Sequence, residues 1–356
     1  MILQRYIASN LITGWLMVLL VLSAVFGLIG FIQELDHTRF DYNALAVARF
    51  TLYSLPQQMV SLAPVIALLG SIVALANMDR YNELTIVSSS GVPLSKLLQA
   101  ISVPTLLLMG VLWLSMEYVT PALHQNAEQQ RHALRYRNDV RIPDGGVWSR
   151  NGSRYIHLGK MLEGGVPGDI DLYEFNEQGQ LSRALHARTA EVIGDRRWLF
   201  QGVREKRLVD GELQTHGYRE LEVENLWAKA ELPSLTLSSD SMRLSVLHSY
   251  SQFLASNGQS MENYLSTFWQ KIFMPVTVAA MVLLATPISA NLGSRRDRNF
   301  GINMGIGALV GILFFLGAQI LFALGQLLQL SIPLTAAAPS VLVLLCAWLL
   351  LHRMRW

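Results

Sequence analysis

LITGWLMVLLVLSAVFGLIGF, residues Leu11 to Phe31, is the stretch that decides the fold. It is the apolar centre of a run without charge from Arg5 to Glu34. A bilayer core about 30 Å thick needs roughly 20 apolar residues per helical crossing, because each residue rises about 1.5 Å. The run is too long for a signal-peptide core and is followed by no convincing cleavage site, so it reads as a retained span. Working outward, Thr51 to Met78, Leu97 to Met116 and Ile272 to Gly293 are runs of the same kind. Asn299 to His352 is also free of charge, but as one helix it would be about 80 Å long. It must cross twice, and Pro333, after Leu330 and Ser331, supplies the turn because proline has no amide hydrogen and disfavours helix in the residue before it. The prediction is six spans, three on each side of a polar insert.

Composition agrees. Apolar residues make up 51% of the 356, and charged residues only 15%. Of the 28 Lys and Arg and 26 Asp and Glu, 35 fall between Pro121 and Arg243. This is a membrane protein interrupted by one soluble domain. A net charge of +2 provides no field for nucleic acid. One cysteine, Cys346, excludes an intrachain disulfide framework. Orientation follows from Lys and Arg in short loops: Arg5, Arg80, Lys96, Arg295, Arg296, Arg298, Arg353 and Arg355 all fall on one side, which places both termini in the cytoplasm and the insert on the far side.

Within the insert, Gly145 to about Glu231 alternates apolar and polar residues, as in Ser153-Arg-Tyr-Ile-His-Leu, Asp169-Ile-Asp-Leu-Tyr-Glu-Phe and Arg197-Trp-Leu-Phe-Gln-Gly-Val. Turn signals fall at Asn176-Glu-Gln-Gly, Gly194-Asp and Asp210-Gly. This pattern predicts an all-β, jelly-roll-like domain of about eight to ten strands between the third and fourth spans. The domains are then 1–119 (spans one to three, with a cytoplasmic helix at about 77–91), 120–260 (the β domain with helical connectors) and 261–356 (spans four to six).

Catalytic signatures are missing. There is no Gly-rich loop ending in Lys-Ser or Lys-Thr, no GxSxG and no HExxH; His124 and His132 lie eight apart without an acidic partner set. We expect no catalytic residue, no metal and no cofactor on this chain, with any ATP bound by a separate subunit. The spans lack interior charge, which disfavours an ion relay; Glu117 and Lys271 are expected to snorkel at span ends. The most specific local feature is Asn77-Met-Asp-Arg-Tyr-Asn-Glu-Leu-Thr-Ile-Val-Ser-Ser-Ser-Gly-Val-Pro93 between spans two and three. It reads as an interfacial helix ended by Gly91 and able to dock in a groove of a cytoplasmic ATPase. Asp79, Arg80 and Glu83 are its candidate polar contacts, with Leu84 and Val87 as apolar anchors.

The three-insert-three order, Asn82-Glu83-Leu84, Ser88-Ser-Ser-Gly91-Val-Pro93, Arg5-Tyr6-Ile7 and Trp269-Gln-Lys-Ile-Phe-Met-Pro275 together resemble the lipopolysaccharide export permeases. Within that family of paired permeases, Lys271-Ile-Phe-Met-Pro275 and the short tail look more like the LptG type than the LptF type. The resemblance covers essentially the whole chain. It implies an inner-membrane heterodimer with an LptF-type permease, a cytoplasmic LptB-type ATPase dimer, and a periplasmic bridge of LptC and LptA types. The implied activity is extraction of lipopolysaccharide from the outer leaflet. It also implies a lateral opening between the first span of one permease and the fifth of the other. On this chain the opening would use Phe26, Ile29, Gly30, Gly307, Gly311, Phe314 and Phe315, with Gly307 and Gly311 lying on a fifth-span stripe of small residues that also suits static packing. Arg39, Arg131 and His37 are the candidate headgroup contacts. Gly30, Asp36, Gln57 and Glu128 depart from the basic residues expected in relatives. Two other readings are a membrane-anchored periplasmic scaffold, which needs no docking helix, and an ion-coupled lipid transporter.

Overall fold

The structure, a computed structural model, describes residues 2–36, 38, 42–136, 147–151, 153–162, 166–176, 178–193, 197–209, 212–224, 226, 239–256, 261–293 and 300–353. They form two compact units. One comprises Met1–Ile32, Ser54–Leu123 and Leu265–Trp356; the other comprises Gln33–Tyr53 and His124–Tyr264.

Ten α-helices are present among the described residues: α1 (Ile2–Leu35), α2 (Ala44–Ser61), α3 (Ala63–Arg80), α4 (Glu83–Ser89), α5 (Leu94–Leu114), α6 (Thr120–Tyr136), α7 (Leu244–Ser256), α8 (Glu262–Gly293), α9 (Phe300–Leu327) and α10 (Ile332–Arg353). Six stretches are long and apolar enough to cross a membrane: Leu3–Leu35, Ala63–Arg80, Leu94–Glu128, Glu262–Ser289, Gly305–Leu327 and Ile332–Arg353. The predicted turn before Pro333 is present, with Gln329 at φ 51° and α10 starting at Ile332.

The second span is shorter than predicted. Pro64 lies in the first turn of α3 and has no N–H to give the Val60 carbonyl, so the helix is interrupted at Leu62 and the crossing begins at Ala63. The third span runs through a π-helical turn, Ser115–Val119. Pro121 has no N–H to give the carbonyl four residues back, which favours the widened turn. Glu117 in that turn and Lys271 in α8 are 9% and 8% exposed. Both are buried within the chain, which corrects the expectation that they snorkel.

Packing between spans uses small and hydroxyl residues. Gly14 of α1 crosses Gly70 of α3, a methyl-sized group on either would strike the other helix's backbone, and beside them Trp15 donates Nε1–H to Ser71 Oγ at 2.9 Å. Thr277 of α8 and Ser340 of α10 are hydrogen-bonded at 2.6 Å. With lipid tails as apolar as the side chains there is no water to escape from, so such helices associate through close contact and buried hydrogen bonds.

The second unit contains a sheet of six antiparallel strands among the described residues, fewer than the eight to ten expected: β1 (Val147–Asn151), β2 (Arg154–Leu162), β3 (Val166–Phe175), β4 (Leu181–Val192), β5 (Arg197–Val209) and β6 (Glu212–Glu224). Each pairs with the next in sequence. The Asn176 turn is as predicted, with Gly179 at φ 76°; the Gly194 and Asp210 turns lie outside the described residues. The sheet curls enough for Arg154 of β2 to donate to the carbonyl of Glu224 at the end of β6. Its interior holds Ile156, Leu158, Ile170, Leu172, Trp198 and Phe200, covered in part by Tyr250 and Leu254 of α7.

A crease crosses the sheet. Asp169 and Gly202 have φ of 53° and 66°, and pairing of β4 with β5 lapses between His186↔Arg204 and Thr189↔Gln201. Burial in β4 accordingly shifts from Leu185 and Ala187 to Ala190, and in β5 from Phe200 to Val203 and Glu205. Beyond the crease the interior becomes ionic. Glu174 pairs with Arg154 and Arg183, and the buried Glu205 with Arg183 and Arg207. Burial works to raise the Glu205 pKa, but the two guanidinium groups outweigh it and hold the carboxyl below the usual range. A depressed folded pKa gives stability above the unfolded value that disappears as pH falls through the folded one. The thermal midpoint of the detergent-solubilised chain should therefore drop on acidification below about pH 4. Glu205→Gln should lower the midpoint at neutral pH and flatten its acid dependence; an unchanged profile would deny the Glu205 ion pairs that role.

Candidate substrate and coupling sites

The connection between the second and third spans is built as a separate short helix. Asn82 adopts φ 58°, which stops α3 and starts α4, and Gly91 at φ 78° ends it. The Tyr6 hydroxyl of α1 donates to Glu83 Oε1 at 2.7 Å, holding α4 against the first span. Leu84 is buried at 7% exposure and faces the chain's own helices, while Val87 and Asp79 are half-buried and Arg80 is exposed. The apolar residues that α4 and its approach present outward are Tyr81 and Ile86, at 63% and 62% exposure. Sequence reading missed both, because in so short a helix periodicity does not say which side is covered.

At the other end of α1 is a compact ionic cluster inside the second unit. Arg131 of α6 donates Nε–H to Glu34 Oε1 at 2.8 Å and a terminal N–H to Glu34 Oε2 at 3.2 Å. Glu128, one turn away, lies 3.5 Å from its other terminal nitrogen, and the Phe50 ring lies 4.9 Å beneath the guanidinium. Tyr42 donates its hydroxyl to Glu34 at 3.1 Å. Burial and then the charge of Glu34 push the Tyr42 hydroxyl pKa well up. For Arg131, burial opposes the charge, but Glu128 and Glu34 prevail and raise its pKa. Arg131 thus has two carboxylate partners. Glu34, Tyr42 and Phe50 had not been singled out; their one sequence signal is an acidic residue ending an apolar helix. A hollow of about 200 Å³ beside the cluster is lined by Tyr42, Leu45, Arg49, Phe50, Arg131 and Leu134. Arg49 is exposed there. His37 and Arg39 lie outside the described residues.

The gate candidates separate. Gly307 and Gly311 of α9 pack on the chain's own α3: a Cβ at Gly307 would lie 2.6 Å from Ile72, and one at Gly311 3.2 Å from Val65. Phe315 is 44% exposed and Phe314 half-buried. On α1, Ile29 is 44% exposed, Gly30 is half-buried, and Phe26 packs beside Val18, Met59, Ile66 and Leu69. The first and fifth spans bury only 11% of their central residues, against 67% for the second and 61% for the fourth.

The chain matches the family described as lipopolysaccharide export system permease LptF/LptG over residues 5–353. It is 27% identical over 355 residues to the lipopolysaccharide export system permease protein LptG of Haemophilus influenzae, covering 99% of both chains. To the protein of the same description from Escherichia coli K12 it is 28% identical over 364 residues, covering 99% of this chain and 98% of the relative.

Proposed function

Because the chain belongs to the LptF/LptG family of lipopolysaccharide export permeases, we propose that it is the LptG-type half of an ATP-driven exporter in the inner membrane. A six-span, multi-pass membrane protein with a β insert is the frame for that reading. The observation that carries it beyond family membership is the nearly bare surface of the first and fifth spans. These are the spans that flank the lateral opening in the paired-permease arrangement, and a homologous LptF-type permease covers part of them while lipid enters through the rest. Lipopolysaccharide, an anionic amphiphile with several acyl chains, suits an apolar wall at Ile29 and Phe315 and a cation near the end of α1. Arg49 is better suited to phosphate than Arg131, whose charge is already met by two carboxylates.

Energy enters through α4. An LptB-type ATPase dimer, which binds the ATP, docks on Tyr81 and Ile86 with Arg80 beside them. Glu83 links the docked helix to α1 through Tyr6, so that hydrolysis is felt by a gate span. Both termini and α4 are cytoplasmic and the β unit periplasmic, where it meets LptC-type and LptA-type bridge proteins. Domain limits near 119 and 261 follow from the same reading.

Co-purification in mild detergent, followed by ATPase assay with and without lipopolysaccharide, tests this. A second permease and an ATP-hydrolysing subunit should be recovered; this chain alone, without ATPase activity, would overturn it. Ile86→Glu should lower ATPase recovery about tenfold or more, as expected for an apolar anchor at an interface centre. Tyr6→Phe should leave recovery intact and reduce lipopolysaccharide-stimulated hydrolysis. Equal recovery for Ile86→Glu and the parent would remove α4 from the interface.

A further inference from the structure

On the outward face of the sheet one row of register partners runs across all six strands: Trp148, His157, Asp171, His186, Arg204 and Gly217. With strands about 4.8 Å apart it is about 24 Å long. Its two ends have different chemistry. At the β1 end Trp148 is 56% exposed, packs at a tilt on His157 and stacks on Tyr173, with ring centres 4.6 and 6.0 Å away. The hollow beside it, about 600 Å³, is lined by Trp148, Tyr155, Tyr173, Phe175 and Asn176. In the middle Asp171 receives both histidines, at 3.3 Å from His157 and 2.8 Å from His186. At the β6 end Arg188, Arg204 and Arg219 surround a hollow of about 520 Å³ floored by Gly202 and Gly217. The crease makes that hollow: Gly202 is held at φ 66°, and a Cβ there would press on the Arg188 side chain at 3.3 Å. All three arginines are exposed, and among the described residues none has a carboxylate partner.

Three guanidinium groups around one hollow repel each other unless an anion sits between them. Their planar forks match phosphate oxygens bidentately. Exposed aromatic faces carry negative quadrupole density and receive the polarised C–H faces of sugar rings. A carboxylate flanked by imidazoles accepts hydrogen bonds from hydroxyl groups placed between the two. We propose that this outward row is a binding track for a phosphorylated saccharide, with sugar rings on Trp148 and Tyr173 and phosphate held by Arg188, Arg204 and Arg219. The proposal rests on the export reading only in naming the natural ligand, the phosphorylated sugar portion of lipopolysaccharide. It places that portion outside the sheet, since the interior is filled by Trp198 and Phe200.

The test titrates the detergent-solubilised full chain, with whatever partners co-purify, with fluorescently labelled and fully deacylated lipopolysaccharide oligosaccharide. The same oligosaccharide after phosphatase treatment and inorganic pyrophosphate are the other two probes. Saturable binding is expected, weakened about tenfold or more by phosphatase treatment and by Arg188→Glu with Arg204→Glu, and several-fold by Trp148→Ala. Arg204→Gln, a milder surface change, should weaken binding in the same direction and keep the parent melting profile. Absence of binding, or equal binding by the arginine variants, overturns the track. Pyrophosphate competing as strongly as the oligosaccharide, with Trp148→Ala silent, overturns its saccharide half and leaves a bare anion site. Intact lipopolysaccharide in the purified complex, measured by mass spectrometry, separates the two readings. If it co-purifies while the oligosaccharide does not bind, the track falls and export stands; if arginine-dependent oligosaccharide binding persists with no lipid and no ATPase recovered, export falls and the track stands.

Discussion

Leucine at Gly70 is expected to abolish stable folding of the helical unit, while leucine at Gly110 leaves it unchanged. The Cβ of any residue at 70 would lie 2.6 Å from Trp15 Cδ1, 2.8 Å from Trp15 Cα and 2.9 Å from Trp15 N. Two of these atoms are backbone, so no rotamer change relieves the clash and α1 must move as a body. Doing so also separates Trp15 Nε1 from Ser71 Oγ, a buried pair whose loss in an apolar medium leaves both groups unsatisfied. Overpacking typically costs about 1–3 kcal/mol and more where backbone has to move, so Gly70→Leu falls at or above the top of that range and Gly70→Ala should show a smaller loss in the same direction. At Gly110 nothing lies within 4 Å of an added Cβ. Monodisperse yield on size exclusion and the thermal aggregation midpoint in detergent distinguish the two positions. A Gly70→Leu protein that elutes and melts like the parent would show that the α1–α3 crossing does not hold this unit together.

The six crossings could be read in the sequence because the bilayer imposes a length and excludes charge, and both are properties of a local run. Where a boundary depends on one proline, the reading slipped: the second span was begun at Thr51 because Pro64 was not weighed against a run of twelve further residues without charge. Strands β2, β3 and β5 were legible from alternation of period two. The crease was not, since a line along which β2 to β6 each lose a pairing looks, strand by strand, like a break in the pattern. On the glycine stripe of α9, Gly307 and Gly311 make the close approach while Gly305 meets nothing within 4 Å, and spacing cannot name the neighbour, which is the chain's own α3. Leu84 shows the same limit in reverse: an apolar residue on a short surface helix is equally suited to a partner and to the chain itself, and here it is buried at 7% exposure. Arg131 was found as a cation of interest, whereas Glu34, 97 residues away, was not paired with it, because complementarity over that distance leaves no periodic trace.

Arg131→Ala is expected to destabilise the second unit by about 3–5 kcal/mol, the cost of leaving one member of a buried ion pair uncompensated. Glu34 is 8% exposed and takes two hydrogen bonds from the guanidinium. Without them its charge retains, among the described residues, only the Tyr42 hydroxyl. Arg131→Lys should not rescue stability, since a point charge cannot fill a two-oxygen fork and loses the Phe50 stacking contact. Glu34→Ala with Arg131→Ala should be less damaging than Arg131→Ala alone, because no charge is then stranded, and the cycle should give a coupling of about 1–3 kcal/mol. The alternative role of Arg131, direct contact with lipid phosphate, predicts otherwise for each variant. Lysine would serve nearly as well as a phosphate cation, the alanine variant would keep its melting profile, and only lipopolysaccharide crosslinking near α6 would fall. Glu34→Ala separates the two roles further. If Arg131 is a clamp, removing its carboxylate loosens the end of α1, lowers the melting midpoint and frees a guanidinium, so crosslinking rises. If Arg131 already holds phosphate, the midpoint stays and crosslinking is unchanged. The geometry favours the first outcome, because a guanidinium that gives its Nε–H and a terminal N–H to one carboxylate and sits 3.5 Å from a second has little positive field left to offer a third anion.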